Sequence, residues 1–468
     1  MNETSQPVEL LLSVSRDAPG TLGAQIEEAL RRAIREGTLR AGAQVPSTRD
    51  LARQLGVSRR IAVDAYSQLA AEGYLMLRQG ARPRVSEAAA AAGAAPDPAP
   101  RVAPPPRFDF TPSVPDVSAF PRAAWLRSLR EATGAITDRD LGYGDMQGIE
   151  PLRRALADYL GRVRGVVGGP DRVVVTSGYQ QGLGVVCQAL AARGARRVEV
   201  EDPSNRYQLE IARRAGLETV PAPVDDAGID VAAIGRADAV IVTPAHQHPT
   251  GALLSAERRA ALCAWLREHE AIAIEDDYDA EYRYDRAAVG ALQGLEPERV
   301  VYAGSASKTL APALRLGWLV VPAALVDAVR AEKTLADRGT ARIEQLAFAD
   351  FLGRGELDRH LRRMRLRYRA RRDALIAALA AELPEAEVVG IAAGLHVTAR
   401  LPGGDEDALR AEMARRRIAL ETMRDYRPDD DGPLTLLLGY GQLPEASIRA
   451  GVRELAAALN PRPGTRRR

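Results

Sequence analysis

The chain has 468 residues, 46% of them hydrophobic, which is length and apolar content enough for two or three domains, and a net charge of +2. Near-neutrality excludes a whole-chain attraction to nucleic acid, so any such charge must be local. Cys187 and Cys263 lack metal-ligand spacing and read as buried free thiols of a cytoplasmic protein, and no apolar run reaches the roughly 18 residues that would cross a membrane.

The first periodic segment, residues 22–36, places Leu22, Ile26, Leu30 and Ile34 on one helical face. A second helix follows Pro46, with Ser47 as its N-cap, and stops at the turn Gly56-Val57. A third opens on Ser58-Arg59-Arg60 and runs to Glu72. Short strands at 74–77 and 84–85 flank Gly80 as a wing. In a helix-turn-helix, the first residues of the second helix of the motif meet base edges in the major groove. From Arg40 to Arg84, eight arginines stand against Asp50, Asp64 and Glu72, a local net of 8 − 3 = +5. That is the phosphate-binding charge that the chain total conceals.

Residues 87–107 are alanine-rich, then proline-rich, and form a linker. At about 3.1 Å per residue it would reach roughly 60 Å if fully extended. Beyond it, strands at 172–177, 197–201, 238–243, 271–276 and 299–304 alternate with helices that start at Tyr179, end near Ala215, and span 255–269. Short apolar strands between helices predict a mostly parallel sheet covered on both faces. Past Phe348 the pattern turns helical with a few strands, a smaller C-terminal subdomain.

Of 64 basic residues, only Lys308 and Lys333 are lysine. A guanidinium stays protonated and cannot condense with an aldehyde, whereas a deprotonated amine can. Lys308 precedes Arg315 between two strand-like runs, which suggests a lysine-bound aldehyde beside a phosphate. Pyridoxal phosphate needs an amine, a carboxylate for its ring nitrogen, donors for its phosphate and something flat on its ring. Lys308 is the amine. Glu275-Asp-Asp-Tyr-Asp279 places acids at the C-terminal end of a strand, where ligands of parallel sheets gather. Ser177-Gly-Tyr-Gln180 sits at a strand-to-helix turn whose free N–H groups suit a phosphate. Ser305, Ser307 and Arg315 add hydroxyls and a fork-shaped cation.

With Gly42-Ala-Gln-Val-Pro-Ser-Thr-Arg-Asp-Leu-Ala52 and Leu55-Gly-Val-Ser-Arg59, residues 18–86 closely resemble the winged helix of GntR-type regulators. The resemblance implies that Arg49, Ser58, Arg59 and Arg60 contact double-stranded operator DNA, with Gln79 and Gly80 at the wing tip. The family often has a small polar residue where Ile61 stands, so base preference is expected to differ there. Residues 108–460 resemble a fold-type I aminotransferase. Thr243-Pro-Ala-His-Gln-His-Pro-Thr-Gly251, Glu275-Asp-Asp-Tyr-Asp-Ala-Glu-Tyr282 and Arg359-His-Leu-Arg-Arg-Met-Arg365 resemble the MocR/GabR subgroup of GntR-type regulators. That likeness implies pyridoxal phosphate bound to Lys308, with Asp276 on the pyridine nitrogen and Tyr278 on the ring hydroxyl. Gly178, Tyr179, Ser305, Ser307 and Arg315 would hold the phosphate. Tyr143 resembles a tyrosine that reaches a neighbouring subunit's phosphate, so a homodimer is implied.

Two departures stand out. Asn205 occupies the place of the usual aromatic on the cofactor ring, a loss of roughly 1 kcal/mol, with Tyr207 as the nearest substitute. Residues 434–440 carry no arginine for a substrate carboxylate, a contact of roughly 1.5–3 kcal/mol. The eight arginines in residues 359–372 are expected around a helix, mostly solvated or paired with acids.

The expectation is a multidomain cytoplasmic protein: an N-terminal winged helix-turn-helix over 18–86, and an α/β fold-type I aminotransferase-like domain with a smaller C-terminal subdomain over 108–468. Its function would be transcriptional regulation in response to the cofactor or a small amino effector, with no residue assigned to catalysis and no metal. Two alternatives stay open: a working aminotransferase with a DNA-binding appendage, and a regulator whose pocket has lost the cofactor.

Overall fold

The computed structural model describes residues 14–87, 104–284 and 289–459. Most of the linker assigned to 87–107 lies outside them. The chain divides into two compact units, residues 1–104 and 105–468.

In the first unit, α1 (Leu22–Arg35) is capped by Thr21 and buries Ile26, Leu30 and Ile34. Helix α2 (Thr48–Leu55) starts where the Ser47 hydroxyl accepts from the Asp50 N–H. It ends on Gly56 at φ +64°, a left-handed conformation that favours a residue without Cβ. Helix α3 (Arg59–Ala71) is capped by Ser58. Strands β1 (Leu75–Met76) and β2 (Arg84–Val85) pair antiparallel as the wing. Leu51, Ala62, Tyr66, Leu69, Leu75 and Val85 complete the core with the α1 face. The result is a winged helix-turn-helix.

The second unit opens on β3 (Phe108–Asp109). Its main sheet contains β4 (Val173–Thr176), β5 (Arg197–Asp202), β6 (Glu218–Asp225), β7 (Gly228–Ile229), β8 (Ala239–Val242), β9 (Ile272–Asp277), β10 (Val300–Ser305) and β11 (Gly317–Val320). Their order across the sheet is β4-β11-β10-β9-β8-β5-β6-β7. The run β10-β9-β8-β5-β6 is parallel, while β11 runs antiparallel between β10 and β4. All five strands expected from sequence are present. The strand-like run past Arg315 is β11, while β6, with Pro221 and Pro223, and the two-residue β7 are additional.

A second, antiparallel sheet joins β12 (Glu387–Val389), β13 (His396–Arg400), β15 (Glu421–Thr422) and β16 (Thr435–Gly439) in the order β12-β13-β16-β15. With the helices Glu356–Glu382, Glu406–Arg416 and Glu445–Leu459 it forms the C-terminal subdomain. Strand β14 (Ile418–Ala419) pairs parallel with β3, tying this subdomain to the start of the unit.

The arginine-rich helix is mostly exposed or paired with acids, as expected, and a few of its arginines also tie it to neighbouring segments. Arg371 is buried and, with Arg367, grips Asp116 at 2.9 and 3.0 Å. Arg365 and Arg369 donate to the carbonyls of Glu281 and Tyr284. Cys187 and Cys263 are buried and unbridged. Among the described residues, no helix is long and apolar enough to cross a membrane.

Candidate functional site

A cavity of about 290 Å³ opens beside the C-terminal ends of the parallel strands and is lined by Lys308, Asp276, Tyr278, Tyr179, Asn205, Ser305, Ser307 and Arg315. Lys308 follows β10 in the short helix Ala306–Thr309. Burial lowers its amine below the usual lysine range, against the opposing pull of Asp279, Asp276 and Glu421. A larger neutral fraction makes it a better nucleophile. Lys333 is no surface residue: it is fully buried, and its Nζ donates to Asp337 at 2.7 Å and Thr340 at 3.0 Å. Its donors are committed to structure, which leaves Lys308 as the available amine.

The acidic string on β9 is folded inward residue by residue, not left as a solvated loop. Glu275, fully buried, accepts from the N–H groups of Leu292 and Gln293 at 2.8 and 2.9 Å. Asp277 pairs with buried Arg164 at 2.7 Å and accepts from the Tyr302 hydroxyl. Asp276 points the other way, into the cavity. Gln208 donates to it at 3.1 Å and to the Tyr179 hydroxyl at 3.0 Å. Burial and the adjacent Asp277 push the Asp276 carboxyl up to about 8. A buried carboxyl held this high lacks a cation, and a protonated pyridine nitrogen is the kind of partner that would restore its charge.

At the other end of the cavity, the helix Tyr179–Ala192 starts on Gly178, at φ +97°, with no side-chain cap. Its first N–H groups are therefore free for an anion. Arg315, itself left-handed at φ +49°, donates to the Ser177 carbonyl at 2.5 Å. The Ser305 and Ser307 hydroxyls lie 2.8 Å apart. A Cβ on Gly178 would sit 3.3 Å from the Arg315 guanidinium, so the glycine keeps this cradle open. Amine, ring-facing acid and phosphate cradle fit pyridoxal phosphate in chemistry and in placement.

Other expected residues fall differently. Asn205 lines the cavity and caps the helix Arg206–Arg214, its side chain accepting from the Tyr207 N–H at 3.0 Å. Tyr207 does not replace the missing aromatic. It is 52% exposed beneath Arg206 and lines an adjacent cavity of about 280 Å³ with Glu421 and Tyr426. Tyr143 is 72% exposed under Arg338, outside the Lys308 cavity of its own chain. Residues 435–439 are the buried strand β16.

Sequence reasoning missed Gln208, Thr243 and His248, which line the same cavity. His248 had a signal: only five histidines exist in the chain, and two of them flank Gln247 just after a sheet strand. Burial and nearby His246 and Lys308 push the His248 imidazole down to about 3, so it is neutral.

On the first unit, Arg49, Ser58, Arg59, Arg60, Gln79 and Gly80 are all exposed. Ser58 also serves as the α3 cap. Arg60 makes only a loose 3.8 Å pair with Asp64. Ile61, by contrast, packs partly against the core.

Two family models match the chain: "Bacterial regulatory proteins, gntR family" over residues 22–85, and "Aminotransferase class I and II" over residues 118–426. The chain is 30% identical to the HTH-type pyridoxine biosynthesis transcriptional regulator PdxR of Corynebacterium glutamicum, over 97% of this chain and 99% of the relative. It is 32% identical to the probable rhizopine catabolism regulatory protein MocR of Rhizobium meliloti, over 96% of both. Among solved structures, kynurenine aminotransferase of Pyrococcus horikoshii, in complex with PMP, matches 76% of this chain and 92% of its own at a TM-score of 0.69 and 25% identity.

Proposed function

Because this chain belongs to the MocR- and PdxR-type regulators of the GntR family, we propose that it is a DNA-binding transcriptional regulator whose aminotransferase-like unit holds pyridoxal phosphate and senses that cofactor or an amino compound. The observation that carries the cofactor assignment is the convergence of Lys308, Asp276 and the uncapped helix start at Gly178 on one cavity. When bound, pyridoxal phosphate supplies an aldehyde that exchanges amines. The chain's residues do the rest. Lys308 offers a largely desolvated amine, Asp276 holds charge against the ring nitrogen, and Arg315, Ser305 and Ser307 fix the phosphate. Tyr278 meets the ring hydroxyl, and His248 lines the same cavity.

Regulation is then linkage: an effector shifts the protein only if it favours one conformation, and operator DNA must discriminate between the same conformations. We assign the working state to a cytoplasmic homodimer, in which exposed Tyr143 serves the partner's cavity. The competing reading, a working aminotransferase, draws support from the amine, the acid and the phosphate cradle, although the ring-stacking aromatic is replaced by Asn205. Against it stands the absence of a carboxylate-binding arginine in residues 434–440. Absorbance titration of the purified chain with pyridoxal phosphate tests the cofactor: a lysine-bound visible band that saturates at one equivalent is expected, and its absence rejects the assignment.

A further inference from the structure

Three of the chain's five histidines, His246, His248 and His396, meet behind the wall of the Lys308 cavity. His246 lies in the segment after β8, Asp279 follows β9, and His396 opens β13, so the cluster joins the large sheet to the C-terminal subdomain. His246 and His396 are each 3% exposed and Asp279 is 1% exposed. The His246 Nδ1 is 3.1 Å from an Asp279 carboxylate oxygen and 3.0 Å from the Tyr278 hydroxyl. Among the described residues, neither ring nitrogen of His396 makes a hydrogen bond of ordinary geometry, the Pro249 carbonyl being its nearest polar neighbour. One donor atom from each of His246, Asp279 and His396 lies within 4.8 Å of the others. Gly394 abuts both Asp279 and His246, and a Cβ there would collide with them.

Two buried imidazoles, one with both nitrogens outside hydrogen-bond geometry, converge on a buried carboxylate, which is a set of donor atoms suited to a cation. We propose that His246, Asp279 and His396 bind one divalent transition-metal ion of the zinc type. Imidazole donors select such ions over magnesium or calcium, and two histidines with one carboxylate make an open three-ligand set. Tetrahedral bonds of about 2.0–2.2 Å place donor atoms about 3.4 Å apart, so binding would draw the widest pair together by up to about 1.5 Å. His248 lies beside the open position, its Nδ1 buried and unpartnered and its ring centroid 5.2 Å from that of His396. Coordination would fix the His246 tautomer and ring orientation, and with them the contact that His246 makes with Tyr278 in the wall of the cofactor cavity. The site stands independently of the pyridoxal phosphate assignment.

The test uses tag-free, full-length protein carrying its cofactor, stripped with a chelator and titrated with Co²⁺. One equivalent per chain should bind with a visible ligand-field band and be displaced by one equivalent of Zn²⁺. His396→Ala and Asp279→Asn should each weaken binding at least about tenfold, the scale on which ligand environments act. His269→Ala, at the end of a helix away from the cluster, should not. Lys308→Ala dialysed free of cofactor should keep the ion, which separates this site from metal chelated by the cofactor itself. A wild-type titration without a one-equivalent step overturns the proposal even if the variants fail to fold. So does an affinity unchanged in both ligand variants, or an ion lost in Lys308→Ala.

Discussion

The two units carry their functional groups in opposite ways. In the winged helix Arg49, Arg59 and Arg60, which we propose face DNA, project from a closed core of Ile26, Leu30, Tyr66 and Leu69. In the aminotransferase-like unit Asp276, Asp279, His246 and His396 are themselves buried, and each answers to neighbours from distant segments. An exposed group acts nearly alone, so its loss should leave the fold intact. A buried polar group is also a structural member, so its loss should disturb both site and stability.

The largest expected effect tests that contrast at the two lysines. Lys308→Ala should abolish the visible band of the lysine-bound cofactor. Lys333→Met should keep the band while lowering stability by roughly 1–3 kcal/mol, because Asp337 loses its buried ammonium partner. Substituting arginine at Lys333 would confound this control, since the site is fully buried and has no room for a larger fork. A band that survives in Lys308→Ala, read by absorbance, would break the assignment.

Next, Arg59→Ala and Arg49→Ala should each weaken operator binding by about 1–3 kcal/mol if they contact base edges, or less if they contact phosphate alone. The cofactor band and the melting temperature should not move. A shift in either would mean that the first unit's arginines are structural too. Turnover sharpens the same comparison: multiple-turnover transamination should stay below about 1 per second with any common amino acid, and a faster rate would favour the enzyme reading.

The smallest effect concerns pH. The Asp276 carboxyl is raised to about 8 in the folded chain, far above its unfolded value. Its contribution to stability is therefore full below the ordinary carboxylate range, about 4, and is lost progressively as pH rises from there through about 8. Cofactor-free protein should lose melting temperature over that window, by a few degrees on the usual scale for small free-energy changes. Asp276→Asn should flatten the slope. Glu201 and Glu275, each pushed by burial to about 7, give a residual slope of the same sign.

Local signals were legible because they are local. Ser47, Gly56 and Ser58 mark the ends of α2 and α3 by side-chain caps and a left-handed turn. Apolar runs disclosed β4, β5, β8, β9 and β10. Strand β6 escaped because Pro221 and Pro223 argue against a strand, although it lies close to the sheet edge, where proline is tolerated. Strand β11 was legible only as a strand-like run past Arg315, because its four residues follow directly on that left-handed residue. The individual roles of Glu275, Asp276 and Asp277 were half available: side chains alternate along a strand, so Asp276 had to oppose its neighbours. Which face held the cavity required Arg164 and Gln208, both distant in sequence. The histidine cluster depends on β13 meeting the β8 and β9 ends, a long-range contact that no spacing encodes.

The central claim is that cofactor occupancy at Lys308 and operator binding are linked. It is tested most directly by fluorescence anisotropy on DNA recovered by genomic selection with the full-length protein, with and without pyridoxal phosphate. The account predicts that the cofactor, alone or with an amino effector, changes operator affinity by about 5–150-fold, and that Lys308→Ala abolishes the change. Recovery of no preferred sequence, or the same affinity with and without cofactor in the wild type, would contradict it.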